Sequence, residues 1–376
     1  MSNSKFQTKS FTSANSGHSM SSTINDIQQT YSIDRVDISS KVNVQALNSG
    51  ILAMIGNTPL LKLENVFKNA HFQLFAKMEM FNPGGSVKDR PALNMLMKAF
   101  QKGDIKPGDT IIESSSGNLG IGLAQASTVL GLRFICVIDP KTTQQNINIL
   151  KAYGAQVDVV TEPDPITGDF LPARINRVKS LLASIPNSFW CNQYANLNNA
   201  GAHYQTMHEI VMALDGRLDY LFCSTGSCGT LRGCAEYIRS NNLDTKIIAV
   251  DAKGSVIFGD KRAKRLIPGH GAARVPELLQ PGLEDMCIHV SDMDCVLGCH
   301  RLLSTEAILA GGSSGGVVTA IDKKQQDIPA NAICAAIFCD RGERYLDTIY
   351  SDTWLKDNFG EALAQSNELK PSYRQH

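Results

Sequence analysis

No stretch of this sequence is apolar for long enough to span a bilayer, and its charges cancel: 36 Lys and Arg stand against 36 Asp and Glu. The first absence argues against a chain threaded through a membrane as helices. The second removes any global electrostatic reason to bind nucleic acid or an anionic membrane, while leaving room for a local basic pocket. The ten cysteines include no CxxC pair and no Cys/His array with zinc spacing. Cys295, Cys299 and the adjacent His300 come nearest, but Leu297, Leu302 and Leu303 around them mark a helix in which such thiols pack. A reduced, cytoplasmic protein that holds no metal is the expectation.

Residues 1–44 lack sustained apolar periodicity as well as the apolar core of a secretory signal, and are rich in Ser, Thr, Asn and Gln. They read as a flexible polar tail or, alternatively, as an arm that docks on a partner subunit.

From residue 74 onward short apolar runs alternate with helical patterns. Strand-like runs fall at 74–80, 110–113, 133–139 and 155–160; helices fall at 87–102, 119–130 and 143–153, closed by Gly103, Gly131 and Gly154. The rhythm resumes with strands at 220–223, 246–251 and 332–338 and helices at 230–240, 292–309 and after Gly316. Buried strands separated by glycine-stopped helices indicate parallel α/β layers. Residues 163–169 form a turn-rich surface loop, and 254–282 is the longest irregular stretch, of the kind used as lids or specificity loops.

Four glycine- and hydroxyl-rich turns accompany this pattern, where open α/β sheets place their ligands. Asn82-Pro83-Gly84-Gly85-Ser86-Val87-Lys88 puts a lysine at a helix start. The macrodipole disfavours positive charge there, and an uncharged amine is suited to Schiff-base formation, although most such lysines are solvated. Ser114-Ser115-Ser116-Gly117-Asn118-Leu119-Gly120 offers backbone N–H groups and hydroxyls to a carboxylate, or is an ordinary N-cap. Ser224-Thr225-Gly226-Ser227-Cys228-Gly229-Thr230 can cup a phosphate. It matches neither GxxxxGK[ST] nor GxGxxG, which disfavours nucleoside triphosphates and dinucleotides. Gly311-Gly312-Ser313-Ser314-Gly315-Gly316 offers a serine to a ligand nitrogen, or is a linker.

Taken in this order, with Gly56-Asn57-Thr58-Pro59-Leu60 before them and Gly342-Glu343-Arg344-Tyr345 after, these motifs resemble the fold type II pyridoxal-phosphate (PLP) enzymes of the cysteine synthase and cystathionine β-synthase family, over about residues 55–355. The resemblance implies two parallel-type α/β domains with the cofactor between them: a smaller mobile one, 81–196, inserted into a larger one, 45–80 and 197–355, with a C-terminal tail at 356–376. It implies Lys88 as Schiff-base lysine and α-proton base, and Asn118 on the cofactor's phenolic oxygen. Gly226, Ser227, Cys228, Gly229 and Thr230 become the phosphate cup, and Ser313 faces the pyridine nitrogen. Ser115, Ser116, Gly117, Leu119 and Gln193 become the holders of the substrate carboxylate. A neutral serine at the pyridine nitrogen favours expulsion of a β-substituent, leaving an aminoacrylate for a nucleophile to attack. The family is typically homodimeric.

Two loops depart from cysteine synthases, which usually read Thr-Ser-Gly-Asn-Thr and Gly-Thr-Gly-Gly-Thr where this chain has Ser115 to Leu119 and Gly226 to Thr230. The stretches around Arg90 to Leu96, Glu113 to Gly120, Phe134 to Pro140, Asp251 to Gly259 and His289 to Val296 are similar to the subgroup that makes a precursor of 2,3-diaminopropionate for siderophores and peptide antibiotics. That likeness implies O-phospho-L-serine and L-glutamate as substrates and N-(2-amino-2-carboxyethyl)-L-glutamate as product. Such substrates demand cations. The irregular segment supplies Lys261, Arg262, Lys264, Arg265 and Arg274, of which Arg274 is the candidate for an anionic substrate group, or else a solvated loop arginine. A cysteine synthase using O-acetylserine or O-phosphoserine with sulfide, and a non-catalytic PLP-binding regulator, are the alternatives.

Overall fold

The structure, a computed structural model, describes residues 49–360. The expected tail at 1–44 lies outside the described residues, as does the C-terminal tail beyond 360. In chain order the elements begin β1 (Leu60–Leu63), β2 (Gln73–Met78), α1 (Asp89–Lys102), β3 (Thr110–Ser114), α2 (Asn118–Leu130) and β4 (Arg133–Ile138). Next come α3 (Gln144–Ala152), β5 (Gln156–Val159), α4 (Phe170–Ser184), β6 (Ser188–Trp190) and α5 (Leu197–Ala213). The remainder is β7 (Tyr220–Ser224), α6 (Gly229–Ser240), β8 (Lys246–Ala252), β9 (Met286–Val290), α7 (Asp292–Glu306), α8 (Gly312–Lys324), β10 (Ile333–Phe338) and α9 (Asp352–Phe359).

They build two sheets. The six-stranded sheet runs β1-β2-β10-β7-β8-β9, parallel except for the antiparallel β1–β2 pair. The four-stranded sheet runs β5-β4-β3-β6 and is parallel throughout. β10 and β3 are buried at every position. For β10 that follows from its continuous apolar run; β3 buries Thr110, Glu113 and Ser114 along with Ile111 and Ile112, because helices cover both faces of a parallel sheet. α7 and α8 meet so closely that a Cβ on Gly298 would stand 2.0 Å from the Gly315 carbonyl oxygen, so glycine is required there. α1 closes on Gly103 in the left-handed region, φ 78°, with Asp89 in its first turn and Lys102 in its last, as the helix dipole favours.

Where β2, α1 and α5 meet lies a buried knot of charge. The Glu79 carboxylate accepts from Thr58 Oγ1 (2.7 Å), Asn82 Nδ2 (2.9 Å), Arg90 Nε (2.7 Å) and Arg90 NH2 (2.8 Å). Glu209 on α5 accepts from Lys77 Nζ (2.6 Å) and from both terminal nitrogens of Arg90. Burial opposes the ionisation of Glu79 most strongly, yet Arg90 and the hydrogen bonds outweigh it and lower its proton affinity. The knot fixes the first turn of α1, and therefore Lys88 just before it, to β2 and α5.

No named element lies between β8 and β9 among the described residues, as the glycine- and proline-rich sequence there suggested. α9 runs across the expected boundary at 355/356.

Candidate active site

Three of the four turns lie where strands end: 82–88 beyond β2, 114–118 beyond β3 and 224–230 beyond β7; the fourth, 311–316, opens α8. Lys88 is the N-cap of α1 and half-buried. Its backbone N–H donates to Ser86 Oγ (3.1 Å), and the Val87 N–H donates to the Cys339 carbonyl (2.7 Å), pinning the turn to the end of β10. Burial pushes the Cys339 thiol up, and the Lys88 charge draws it partly back. The Ser313 hydroxyl lies near enough to the same thiol to draw it back a little as well. Ser314 Oγ accepts from the Cys339 N–H at 3.1 Å, and Ser224 Oγ lies 3.3 Å from its sulfur. Lys88, Ser313 and the start of the 224–230 turn therefore meet around Cys339.

Asn118 joins them through the next residue: its Nδ2 donates to Asp340 Oδ2 at 2.7 Å. Its Oδ1 accepts from Arg344, which also donates to the Gly84 carbonyl. The Tyr345 hydroxyl donates to Asp340 Oδ2 at 2.6 Å.

The 226–230 turn has the geometry of an anion nest. Cys228 adopts the left-handed conformation, φ 62° and ψ 7°, immediately before the first residue of α6. Successive backbone N–H groups gather in such a turn, and the helix N-terminus adds its partial positive charge. α5 backs the turn: Asn199 Nδ2 donates to Ser227 Oγ (3.2 Å) and to the Gln193 carbonyl (2.7 Å). A Cβ at Gly229 would stand 2.2 Å from Asn199 Oδ1, so the backbone approaches α5 only as glycine. His203 Nε2 lies 3.3 Å from Thr230 Oγ1, and its Nδ1 lies 3.2 Å from Thr206 Oγ1. Burial holds His203 well below its usual range, so it is neutral.

In the 115–119 turn Ser115 Oγ accepts from the Gly120 N–H (2.9 Å), and the Ser116 carbonyl accepts from Asn146 Nδ2 (3.0 Å). Gly117 is the N-cap of α2, so the first-turn N–H groups, Leu119's among them, lie beyond the reach of helix carbonyls. Behind this turn stands Glu113, which sequence reasoning quoted within a motif but did not single out.

Arg274 lies apart from Lys88's neighbours, with its guanidinium 4.7 Å above the Tyr194 ring. It lines a cleft of ≈ 200 Å³ with Asp169, Leu171, Pro172, Ile175, Asn176 and Ala273. Tyr194 packs against the small apolar cluster of Cys228, Ile257, Ala272 and Leu278, which includes one residue of the nest. Burial raises the Tyr194 hydroxyl's proton affinity, opposed by the charges of Arg174, Arg274 and Arg265, so three guanidiniums gather there. Each keeps buried nitrogen without a hydrogen-bond partner: Arg174 Nε and NH1, Arg265 Nε and Arg274 Nε. Arg174 Nε is 3.3 Å from Asp139 Oδ2 but lacks the alignment of a hydrogen bond. Arg174 comes from α4 and was not singled out from sequence.

Residues 51–340 match the pyridoxal-phosphate dependent enzyme family. The chain belongs to that family. This PLP enzyme is similar in structure to an O-ureido-L-serine synthase, with 30% identity, a TM-score of 0.74, and coverage of 83% of this chain and 96% of the other. It is similar to the O-acetylserine dependent cystathionine beta-synthase from Helicobacter pylori, with 31% identity, a TM-score of 0.75, and 81% and 99% covered. A hydrogen sulfide-producing enzyme from Fusobacterium nucleatum gives 30% identity, a TM-score of 0.74, and 79% and 99% covered. The α/β architecture with its two parallel sheets is that of the fold type II PLP enzymes.

The residues present fit PLP. A lysine amine suits its aldehyde, an N–H nest suits its phosphate, and a serine hydroxyl suits a pyridine nitrogen. The buried Asn199 Oδ1 and Asp340 Oδ1, both without partners, mark polar surface around the same place. Among the described residues no group of His, Cys, Asp and Glu is placed to hold a metal, and no helix is long and apolar enough to cross a membrane.

Proposed function

We propose that this PLP enzyme performs β-replacement on a serine derivative with an anionic amino acid as acceptor, joining O-phospho-L-serine to L-glutamate to give N-(2-amino-2-carboxyethyl)-L-glutamate and phosphate, toward 2,3-diaminopropionate. The Cβ–O bond breaks with phosphate leaving, a Cβ–N bond forms, and the acceptor's ammonium gives up a proton. The observation that carries the acceptor is the group of Arg174, Arg265 and Arg274 at Tyr194, whose buried donors call for carboxylate. Sulfide would have no use for them.

In this reading Lys88 holds the cofactor and its Nζ takes the α-proton. Gly226, Ser227, Cys228, Gly229 and Thr230 cup the phosphate, stiffened by Asn199 and His203. Ser313 faces the pyridine nitrogen, and Asn118 the phenolic oxygen, oriented by Asp340 and Arg344. PLP, when bound, supplies the electron sink for loss of the β-substituent. Ser115, Ser116, Gly117 and Leu119, with Gln193, receive the donor's carboxylate. Residues 81–196 act as the mobile lobe, closing on the larger one to exclude water, and the enzyme works as a homodimer.

The test is mass spectrometry of the PLP-loaded enzyme with both substrates. A product with their summed mass less phosphoric acid, absent with Lys88→Ala, is the expected result. Cysteine formed from sulfide, with no glutamate adduct, would instead make the chain a cysteine synthase.

A further inference from the structure

Glu113, the fourth residue of β3, is fully buried and lies between the two segments that would receive substrate. Its Oε1 accepts from the Ser114 backbone N–H (2.9 Å), at the head of the 114–119 turn, and from the Trp190 indole N–H (3.0 Å), at the end of β6. Its Oε2 is buried without a completed hydrogen bond. The backbone N–H groups of Gln193 and Asn192 approach closely enough to favour the ionised carboxylate. Those two residues lead directly to Tyr194 and its arginines. One carboxylate thus touches both walls of the pocket while touching no substrate itself.

We propose that Glu113 is a positioning residue whose ionised carboxylate clamps the 114–119 turn to the 190–194 segment, and whose protonation releases them. This rests on the reading of the pocket given above. Every group that contacts Glu113 is a donor, so the carboxylate form satisfies all of them, whereas a carboxylic acid would bring an O–H with no acceptor. Burial raises its proton affinity to about pH 7, more than the Trp190 and backbone donors lower it. The ionisable groups facing it are Cys136 on β4 and Cys191 and Tyr194 after β6, with Arg174 of α4 acting on Cys136 and Tyr194 in turn. Burial pushes the Cys136 thiol up to about 12, the Cys191 thiol well above its usual range, and the Tyr194 hydroxyl up. None of those three changes charge near neutrality.

Two measurements test the clamp. In the PLP-loaded enzyme the donor's KM rises on the order of tenfold between pH 8 and pH 6, the worth of a charge-assisted hydrogen bond, while kcat holds. Glu113→Gln, which cannot ionise, has a raised KM at pH 8 and none of this step; comparing the two cancels titration of the substrate itself. Parallel profiles in the two proteins would overturn the proposal. The second measurement needs no substrate. The chain has 2 tryptophans, so Trp354→Phe leaves Trp190 as the only indole. Its emission should titrate near pH 7 and lose that transition when Glu113→Gln is added. A flat emission between pH 6 and pH 8 in Trp354→Phe sinks the clamp even if the double variant does not fold. A titrating emission alongside failed turnover would retire the substrate reading and leave the carboxylate assignment standing.

Discussion

Around Arg90, four charged side chains exhaust one another: Glu79 and Glu209 take every hydrogen bond that Arg90 and Lys77 direct at them, with Thr58 and Asn82 completing the set. Around Tyr194, three guanidiniums keep buried nitrogens that are left unbonded, although the Asp139 carboxylate stands 3.3 Å from Arg174 Nε. Both groups are costly, because charge removed from water must be repaid by partners. In the first the chain supplies those partners, so the ions cross-link β2, α1 and α5. In the second it supplies them only in part, and in the function proposed above the remainder is met by an anionic substrate. A fully paired cluster serves the fold; an under-paired one is the place to test for a ligand.

The sharpest way to break this contrast is to unpair the paired cluster. Glu79→Gln leaves Arg90 buried with one carboxylate fewer, and should cost about 3–5 kcal/mol of unfolding free energy. Urea denaturation measures it; a loss below about 1 kcal/mol would mean water reaches the knot and does the carboxylate's work. Glu79 and Glu209 both have proton affinities held below the ordinary range, despite burial, by Arg90. Their stabilisation is therefore present above the ordinary carboxylate range and is lost as pH falls through their lowered values. Asp89 runs the other way. Burial raises it to about 7, so its contribution is fully present in acid and declines as pH rises through that value. The Glu79→Gln variant should accordingly lose much of the wild type's steep acid dependence.

What could be read in advance follows the same division. Strands buried on both faces, such as β7, β8 and β10, announce themselves as short apolar runs. The edge strands β1, β6 and β9 were not singled out, being only three to five residues long, whereas the edge strand β5 was legible at 155–160 although it is half-exposed. α5 escaped for another reason: its buried face includes Asn199, His203 and Thr206, so the apolar stripe that marks a helix is interrupted by the residues that back the nest. The glycine-rich turns were legible because close backbone approach demands glycine wherever it occurs. Arg174, Tyr194 and Glu113 were not, since a lone charged or aromatic residue in a strand, helix or loop looks the same whether it faces water or a site. Only the pairing of β3 with β4 and β6 brings Glu113 to Trp190.

Removing an arginine from the cluster at Tyr194 should have an intermediate effect, chiefly on function. Arg174→Ala and Arg274→Ala should each raise the KM for the anionic acceptor about 10- to 100-fold, the worth of one hydrogen bond to a charged group, with kcat little changed. Folding stability should hold or rise slightly in Arg274→Ala, because a poorly compensated cation has been taken away, whereas Arg174→Ala also leaves the buried Asp139 carboxylate without its cation and should lose some stability. Steady-state kinetics beside urea denaturation reads both; a destabilised protein with an unchanged KM would place these arginines with the structural charges. Arg265 is the poorer choice for the experiment, since it also donates to the His270 carbonyl at 2.7 Å and ties down its own loop.

The smallest effect belongs to Arg177, one turn along α4 from Arg174. It forms a two-pronged pair with Asp158 on β5, at 2.9 and 2.7 Å, but its side chain is 46% exposed. Water competes for such a pair and salt screens it, so Arg177→Ala should cost at most about 1 kcal/mol and leave both KM values alone. The value of this variant is that it removes the same side chain from the same helix. If it too raised the acceptor's KM, the effect of Arg174→Ala would have to be ascribed to movement of α4 rather than to a lost contact. If it does not, the difference between two arginines three residues apart isolates what the Arg174 guanidinium contributes near Tyr194.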